Sequence, residues 1–317
     1  MTLLLTLLKY AVVIVLASSA IEALVLSLRH GWRRYDWRAA CLSAIDILVR
    51  EYPLRWLLPL AFWTDAMNWV WHHRLWTLPM HHWSGWGVCF VGQEFCYYWY
   101  HRTAHRMRWF WCSHAVHHSP VQLNLSAAYR FGWTGHLAGS TLFFVFAPLL
   151  GMPPQVVLTL LSVNLLYQFV LHATWIPRLG PLEWILNTPS AHRVHHASNL
   201  EYLDANYGGV LIVFDRLFKT YVAQRDDVTC RFGLVGSTAS PHHLLSVEFT
   251  HWHALGRDLR RARSLREVVG YLVRPPGWRP DHSGDTTQDL RRRATFQASG
   301  IARRHAVSPA VRGRIGS

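Results

Sequence analysis

The sequence predicts an all-α integral membrane protein with about five transmembrane or re-entrant helices and a helical cytoplasmic cap that carries a histidine-rich dimetal site. Half of the 317 residues are hydrophobic and 16% are charged, against about 25% charged in soluble domains. Long apolar runs recur in the first half of the chain, and histidine clusters follow them. We expect a transmembrane domain over 1–176, a cytoplasmic cap over 177–280 and a disordered basic tail over 281–317.

The first apolar run covers residues 3–28 and is long enough to cross a bilayer. It lacks a cleavage site of the A-x-A type, so we expect a retained helix and not a removed signal peptide. Four basic residues follow it, namely Arg29, Arg33, Arg34 and Arg38. The positive-inside rule then places this flank in the cytoplasm and the N-terminus on the other side.

Four further runs complete the predicted membrane domain, over residues 42–70, 83–100, 134–150 and 154–175. The last two are joined by Gly-Met-Pro-Pro, which favours a tight turn. Alternate crossing of the bilayer then places residues 101–133, and everything after residue 176, on the cytoplasmic side. We therefore expect an integral protein of a bacterial inner membrane whose active site faces the cytoplasm.

The net charge of +14 comes almost wholly from arginine, since lysine occurs only at Lys9 and Lys219. The arginines lie beside apolar runs and in the C-terminal region, a placement typical of membrane orientation and acidic headgroups. We find no zinc-finger or RNA-binding signature, so nucleic acid is not an expected partner. The five cysteines form no C-x-x-C pair, which argues against disulfides and thiolate metal sites.

Three histidine clusters are the strongest functional signal. They are H-x-x-x-H at His101 and His105, H-x-x-H-H at His114, His117 and His118, and H-x-x-H-H at His192, His195 and His196. Residues three or four apart share a helix face, so each cluster can direct two or three imidazoles at one point. A single cluster is often a solvated helix face, but three clusters on one predicted side of a membrane indicate a site for two metal ions.

A polar stripe on the last apolar run predicts a ninth ligand. Asn164, Gln168 and His172 recur every four residues, and polar groups at membrane depth usually face a partner or a cavity. We therefore expect His172 to be a ligand, with Asn164 and Gln168 as supporting polar neighbours. A role in helix packing is the alternative for His172.

Two carboxylates are candidates for orienting the ligands. Glu94 lies on the same predicted helix face as His101 and His105, and Asp204 follows the last cluster. Either side chain can accept a ring N–H and hold an imidazole in place. Pairing with an arginine is the alternative role for Glu94.

Other histidines and other chemistries fit less well. The pairs His72/His73 and His81/His82 fall in the outward-facing loop, His136 is expected to be structural, and His242, His243, His251 and His253 receive no role. The sequence has no H-E-x-x-H, no G-x-S-x-G and no glycine-rich dinucleotide fingerprint. Bis-histidine haem ligation needs opposed histidines within the bilayer and not clusters on one side.

Four stretches resemble the fatty acid hydroxylase/sterol desaturase superfamily. They are FCYYWYHRTAH (95–105), WCSHAVHHSPVQLNLSAAYR (111–130), the block from 164 to 218 and PPGWRP (275–280). The block 164–218 is most similar to the alkylglycerol monooxygenase-like branch, and the resemblance covers most of residues 1–280. Three positions depart from the usual pattern: Ala191 replaces a frequent His, Glu94 replaces Asp, and Lys219 replaces Gly.

The resemblance implies a membrane-bound di-iron enzyme that hydroxylates or desaturates an acyl, alkyl-glycerol or sterol-like lipid. It implies O2 as co-substrate and a separate electron-transfer partner of the cytochrome or ferredoxin type, with zinc possible in the purified protein and tetrahydropterin suggested by analogy alone. It assigns the ligand role to all nine histidines: His101, His105, His114, His117, His118, His172, His192, His195 and His196.

Two non-oxidative functions remain as alternatives. A membrane zinc site with a structural or transport role is possible because imidazole suits zinc as well as iron. A transporter, however, is expected to carry ionisable residues near the middle of several spans, whereas these gather on one face. A degenerate lipid-binding scaffold is disfavoured by the intact ligand motifs.

Overall fold

The computed structural model describes residues 10–54, 60–237 and 239–306. Within these residues the chain is helical, and its only β pairing consists of two isolated bridges, Leu186–Leu211 and Ala197–Phe232. The α-helices are α1 Ala11–His30, α2 Trp37–Val49, α3 Leu60–His72, α4 Trp83–Arg106, α5 Arg108–His114, α6 Leu142–Val145, α7 Pro154–Leu171, α8 Pro189–His196, α9 Val213–Leu217, α10 Leu244–Arg261, α11 Leu265–Val273 and α12 Thr287–Ala306. The all-α prediction is confirmed for the part of the chain that the structure describes.

Two of these helices, α1 and α7, are long and apolar enough to cross a membrane. Large apolar side chains on α1 are exposed, with Val13, Ile21 and Leu28 each more than 60% accessible. The helix ends where Gly31 adopts a positive φ of 95° and its N–H reaches Ser27. The expected first span thus forms a helix over its described part, since residues 1–9 lie outside the described ranges.

The predicted run 42–70 is divided in the structure. Helix α2 begins at a cap in which the Asp36 carboxylate accepts from the Ala39 N–H at 3.0 Å. A π-helical turn over Arg50–Leu54 contains Pro53, which has no N–H to donate and therefore interrupts the regular helical ladder. Helix α3 resumes at Leu60, and residues 55–59 lie outside the described chain.

The prediction of a continuous span over 134–150 is wrong. Residues 133–141 form turns, followed by the four-residue helix α6 and a 3-10 helix over Ala147–Leu150. Gly139 adopts a φ of +89°, which a right-handed helix excludes. Pro148 at the start of the 3-10 helix lacks an amide proton. The run is apolar enough for a span, but its backbone does not form one continuous helix.

Helix α4 organises the remaining elements. It packs against α5, α6 and α7. Its Cys89 and Tyr97 belong to a buried cluster with Met67 of α3, Phe144 of α6 and Val157 of α7. The N-terminal half of α4 is therefore anchored against α3, α6 and α7, and its C-terminal turns carry His101 and His105.

Helices α10 and α11 cover the far side of α5. Cys112, Leu255 and Tyr271 form a small buried core between them. A partly buried ion pair of 2.6 Å joins Arg108 on α5 to Asp258 on α10. These contacts hold the segment that carries the second histidine cluster against the C-terminal half of the chain.

The expected disorder from residue 281 onward does not hold for the described part, where α12 forms. A reciprocal cap starts this helix: the Asp289 N–H donates to Thr286 Oγ1, and the Thr286 N–H donates to the Asp289 carboxylate, both at 3.2 Å. Such a capping box satisfies helix N–H groups that lack internal partners. Composition alone suggested disorder because the segment is polar, but it also contains good helix formers.

Candidate metal centre

The nine predicted histidines come together in two buried groups. One contains His101, His105, His114, His118 and His195, and the other contains His117, His172, His192 and His196. Within each group, one ring nitrogen from every histidine lies within 4.8 Å of the others. The rings of His118 and His196 stack at 4.4 Å between centroids, so the groups adjoin.

Each sequence cluster contributes to the groups in its own way. His101 and His105 lie one turn apart on α4 and stay together. His114 ends α5, while His117 and His118 follow in a turn and separate into different groups. The expectation that each cluster is directed at a single point therefore holds for the first cluster and is wrong for the second.

The third cluster also divides between the groups. It lies on α8, which starts at a cap provided by Thr188. His192 and His196, four residues apart, face one group, and His195 faces the other. Helix α8 therefore supplies imidazoles to both groups, because its 100° rotation per residue points neighbouring side chains in different directions.

Backbone carbonyls orient four of the rings. The Nδ1 atoms of His101, His117, His172 and His195 lie 2.8–3.1 Å from the carbonyl oxygens of Tyr207, Arg130, Gln168 and Ala205 respectively. A carbonyl only accepts, so each of these rings donates through Nδ1. The Nε2 atom of each ring is then unprotonated, and its lone pair faces the group. A neutral imidazole with a free lone pair is the form of histidine that can bind a metal.

The buried Nε2 atoms have too few donors within the protein. The Nε2 atoms of His118 and His195 are buried without a hydrogen-bond partner in the described chain. His114 Nε2 faces the Nε2 atoms of both His101 and His105 at 3.2 and 3.1 Å, and one ring proton can serve only one of them. A buried, unsatisfied lone pair is costly, so a cation bound between the rings fits this arrangement.

Burial favours the neutral form of these imidazoles. The pKa of His195 is lowered to about 4 mainly by burial, against the effect of the Ala205 carbonyl. The pKa values of His118 and His196 are lowered well below the usual range, first by burial and then by neighbouring histidines. Metal binding requires neutral imidazole, so the surroundings prepare these rings to act as ligands.

Glu94 is buried, but it does not act on a ring as expected. Its carboxylate accepts from the backbone N–H groups of Val210 and Leu211 at 2.7 and 2.8 Å, and from the Asn164 side-chain amide. The predicted partner was a ligand ring N–H, and the structure corrects this. Glu94 instead joins α4 to α7 and to the loop after the third cluster.

The polar stripe on α7 continues from Glu94. Asn164 Oδ1 accepts from the Gln168 amide, and Gln168 Oε1 accepts from the Tyr97 hydroxyl at 3.0 Å. Gln168 also accepts the His172 ring proton, but through its backbone carbonyl. Asn164 and Gln168 therefore support the site by holding α7 against α4, and the final residue of the stripe, His172, enters the second histidine group.

Asp204 pairs with Arg106 at 3.4 Å and contacts none of the nine rings through a hydrogen bond. Its φ of 58° is unusual for a residue other than glycine. Asn206 has the same φ and donates its side-chain amide to the carbonyls of Ala191 and Val222. The sharply bent segment from 204 to 207 thereby presents the carbonyls of Ala205 and Tyr207 to two ligand rings.

Sequence reasoning missed Asp215, which is fully buried. Its carboxylate accepts from the N–H groups of Tyr207 and Gly208 at 2.8 and 2.7 Å and from the Thr220 hydroxyl at 2.6 Å. It therefore holds the peptide whose carbonyl orients His101. Its position as a single acid within the apolar run VLIVFDRLF was the available signal.

A cavity of about 460 Å³ opens onto both groups from the side of the C-terminal helices. His105, His118, His195 and His196 form its floor. The histidines to which the sequence gave no ligand role lie outside both groups. Among them, His251 lines the cavity and lies 3.3 Å from the Ser237 hydroxyl, while His242 pairs with Asp36 at 2.8 Å.

Comparison with known proteins agrees with this site. Residues 86–220 match the fatty acid hydroxylase family. Over 220 residues the chain is 40% identical to alkylglycerol monooxygenase from Homo sapiens, which is 67% of this chain and 46% of that protein. It is 38% identical over 196 residues to the Danio rerio enzyme of that name, covering 62% and 43%.

A bacterial relative is also similar. The chain is 33% identical over 146 residues to an ornithine lipid hydroxylase from Rhizobium tropici, covering 46% of this chain and 44% of that protein. This chain thus spans less than half the length of these curated relatives. No solved structure matches it significantly. The region matched by the family contains all nine clustered histidines, and the chain belongs to the fatty acid hydroxylase/sterol desaturase superfamily.

Proposed function

We propose that this protein is a membrane-bound di-iron oxygenase that hydroxylates or desaturates a lipid with O2 and electrons from a separate carrier. The observation that carries the proposal is the pair of buried histidine groups, with five and four ring nitrogens brought within 4.8 Å of one another. Names of the related monooxygenases and hydroxylases support lipid oxidation. An acyl, alkyl-glycerol or sterol-like chain is the substrate class.

The proposed ligands are His101, His105, His114, His118 and His195 for one iron, and His117, His172, His192 and His196 for the other. Neutral imidazole suits iron as well as zinc, so the choice of iron rests on the family. When bound, the iron pair supplies oxygen activation and C–H oxidation, which amino-acid side chains do not provide.

The chain's own contribution is to orient the ligands and to exclude water. Carbonyls of Tyr207, Arg130, Gln168 and Ala205 keep Nδ1 protonated on four rings. All nine imidazoles are at most 8% exposed. Burial keeps competing water away from the site, and the cavity floored by His105, His118, His195 and His196 is the route by which a substrate reaches it.

We place the protein in a membrane, in a bacterial inner membrane by analogy, with the site on the cytoplasmic side. The transmembrane domain is 1–176 and the cap is 177–280. About five segments enter the bilayer, of which the broken stretch 134–150 is re-entrant. A cytochrome or ferredoxin-type protein supplies electrons from the cytoplasm, and tetrahydropterin is a candidate by analogy alone.

Metal analysis of the purified protein combined with lipid profiling of a deletion strain tests the proposal. Two irons per chain, together with the loss of a hydroxylated or unsaturated lipid in the deletion strain, are expected. Stoichiometric zinc with an unchanged lipid profile would instead favour a zinc protein with a structural or transport role.

A ligand variant provides the second arm. His117→Ala should abolish metal binding in its group and lipid oxidation, because no other side chain in the described chain replaces the lost nitrogen. His253→Ala is the matched control, since His253 is an exposed histidine on α10 outside both groups. Full metal content and activity in His117→Ala would show that the ligand assignment is wrong.

A further inference from the structure

A second cavity, of about 570 Å³, adjoins the one that reaches the histidines. Four arginines line it, namely Arg106, Arg274, Arg279 and Arg292. The two cavities share Asp204, Pro275, Trp278, Arg279 and Thr287 as walls. We call them the arginine cavity and the histidine cavity.

The arginine cavity carries excess positive charge. Against its four arginines stand two carboxylates, Asp204 and Asp289. Arg106 pairs with Asp204 at 3.4 Å, and Arg292 pairs with Asp289 at 2.7 Å. Those two pairs leave Arg274 and Arg279 to set the net charge of the walls.

Arg274 and Arg279 are the two available cations. The Arg274 side chain is exposed and has no ion pair or hydrogen bond within the described chain. Arg279 is half exposed and lies 3.9 Å from Asp258, whose closer partner is Arg108 at 2.6 Å. A cavity with one unpaired and one weakly paired guanidinium group favours an anion, and guanidinium binds phosphate or carboxylate in a bidentate manner.

The histidine cavity, in contrast, is lined in part by apolar side chains. Trp111, Leu203, Leu234, Val235 and Leu290 contribute apolar side chains above the histidine floor. Arg106 follows directly after His105 in the chain, so the cationic wall lies one residue from a ligand. An anionic group in the arginine cavity would leave the hydrocarbon portion of the same molecule beside the apolar side chains of the histidine cavity.

We propose that the arginine cavity binds the anionic headgroup of the lipid substrate, a phosphate or carboxylate, and so selects anionic over neutral lipids. This inference rests on the proposed function and specifies its substrate class. The concave shape and the volume of about 570 Å³ suit a small headgroup. An acidic carrier protein, by contrast, is expected to bind a broad and open basic surface.

The test measures lipid binding to the full-length protein in neutral detergent by native mass spectrometry. The two probes are palmitoyl lysophosphatidic acid and monopalmitoylglycerol, which differ by one phosphate. We expect at least about tenfold tighter binding of the phosphate lipid, as for one charge-assisted contact. Arg274→Gln/Arg279→Gln should reduce the preference below about threefold.

The control variant is Arg257→Gln/Arg266→Gln, which removes the same charge from exposed positions on α10 and α11 outside both cavities. It should keep the full preference. Equal binding of both lipids by the unmodified protein, or an unchanged preference in Arg274→Gln/Arg279→Gln, would overturn the proposal. So would arginine-dependent binding of inorganic phosphate alone while the two lipids bind equally, because the site would then serve a free anion.

Two further outcomes separate the possible explanations. An unchanged lipid preference in Arg274→Gln/Arg279→Gln, together with slower reduction by an acidic electron carrier, would make the surface a protein-docking site and overturn the headgroup assignment. An arginine-dependent lipid preference in a protein that oxidises neither lipid would support the headgroup site and count against the oxygenase proposal. The headgroup proposal and the oxygenase proposal can therefore be refuted separately.

Discussion

Replacement of Glu94 by alanine should destabilise the protein far more than replacement by glutamine. Glu94 is 1% exposed and accepts from Val210 N, Leu211 N and the Asn164 amide. Alanine leaves three buried donors unsatisfied at about 1–3 kcal/mol each. We therefore expect Glu94→Ala to cost about 3–9 kcal/mol, before any cavity effect.

Glutamine can preserve the hydrogen-bond network if the side-chain amides along it exchange the positions of their oxygen and nitrogen atoms. Its oxygen accepts from Val210 and Leu211, and its amide faces Asn164. Asn164 and Gln168 can then each exchange the positions of their amide oxygen and nitrogen, and the Tyr97 hydroxyl accepts at the end of the chain. Only the charge assistance is lost, so Glu94→Gln should cost about 1–2 kcal/mol.

Thermal and denaturant unfolding of the metal-free protein in detergent, followed by far-UV circular dichroism, measures the difference between the two variants. Metal-free samples separate the packing role of Glu94 from any effect on metal binding. Equal destabilisation by alanine and glutamine would refute the reversible amide relay. A loss below about 1 kcal/mol in Glu94→Ala would refute the buried hydrogen-bond role itself.

Three other predictions concern groups around the site. Asp215→Asn keeps the shape of the side chain but places an amide donor, in place of a carboxylate acceptor, beside Tyr207 N or Gly208 N. It should weaken metal affinity about 10–100-fold, as measured by competition with a chromophoric chelator. Unchanged affinity would exclude a positioning role for Asp215. Burial and the nearby Asp46 carboxylate raise the pKa of Glu248 to about 9. The stability that this protonated side chain contributes is therefore fully present below its pKa in the unfolded chain, near 4.5, and is lost as the pH rises toward 9. Glu248→Gln should flatten the fall in thermal stability between these pH values, and an unaltered pH profile would contradict this. Thr286→Val removes the cap of α12 at a cost of about 1 kcal/mol, so amide exchange over 287–297 should accelerate, whereas unchanged protection would show that α12 does not depend on this cap.

The sequence predicted which histidines come together, because a metal site needs particular side chains at particular spacings. All nine histidines enter the two buried groups. The same reasoning failed for the orienting groups, since four ring nitrogens are held by backbone carbonyls, including those of Arg130 and Ala205. Any residue type offers a carbonyl, so no sequence pattern marks which one faces a ring.

Predictions of continuous helices succeeded where hydropathy and backbone preference agreed. Residues of α1 and α7 are both apolar and helical. Residues 134–150 are apolar as well, but Gly139 with its positive φ and Pro148 break the helix there. In the opposite sense, the polar segment after residue 281 contains α12 because a local cap and helix-forming residues outweigh its low hydrophobicity.

By itself, the sequence determined the family, the helical class and the identity of the histidines that cluster, because each depends on residue type and short-range spacing. The tertiary structure alone decided how these histidines divide between two groups. His117 and His118 are neighbours in the chain but belong to different groups, and His195 leaves His192 and His196 to join helix α4. That division depends on how α4, α7 and α8 converge in space, and the arginine cavity likewise exists only because the segment from 274 to 292 folds back beside His105.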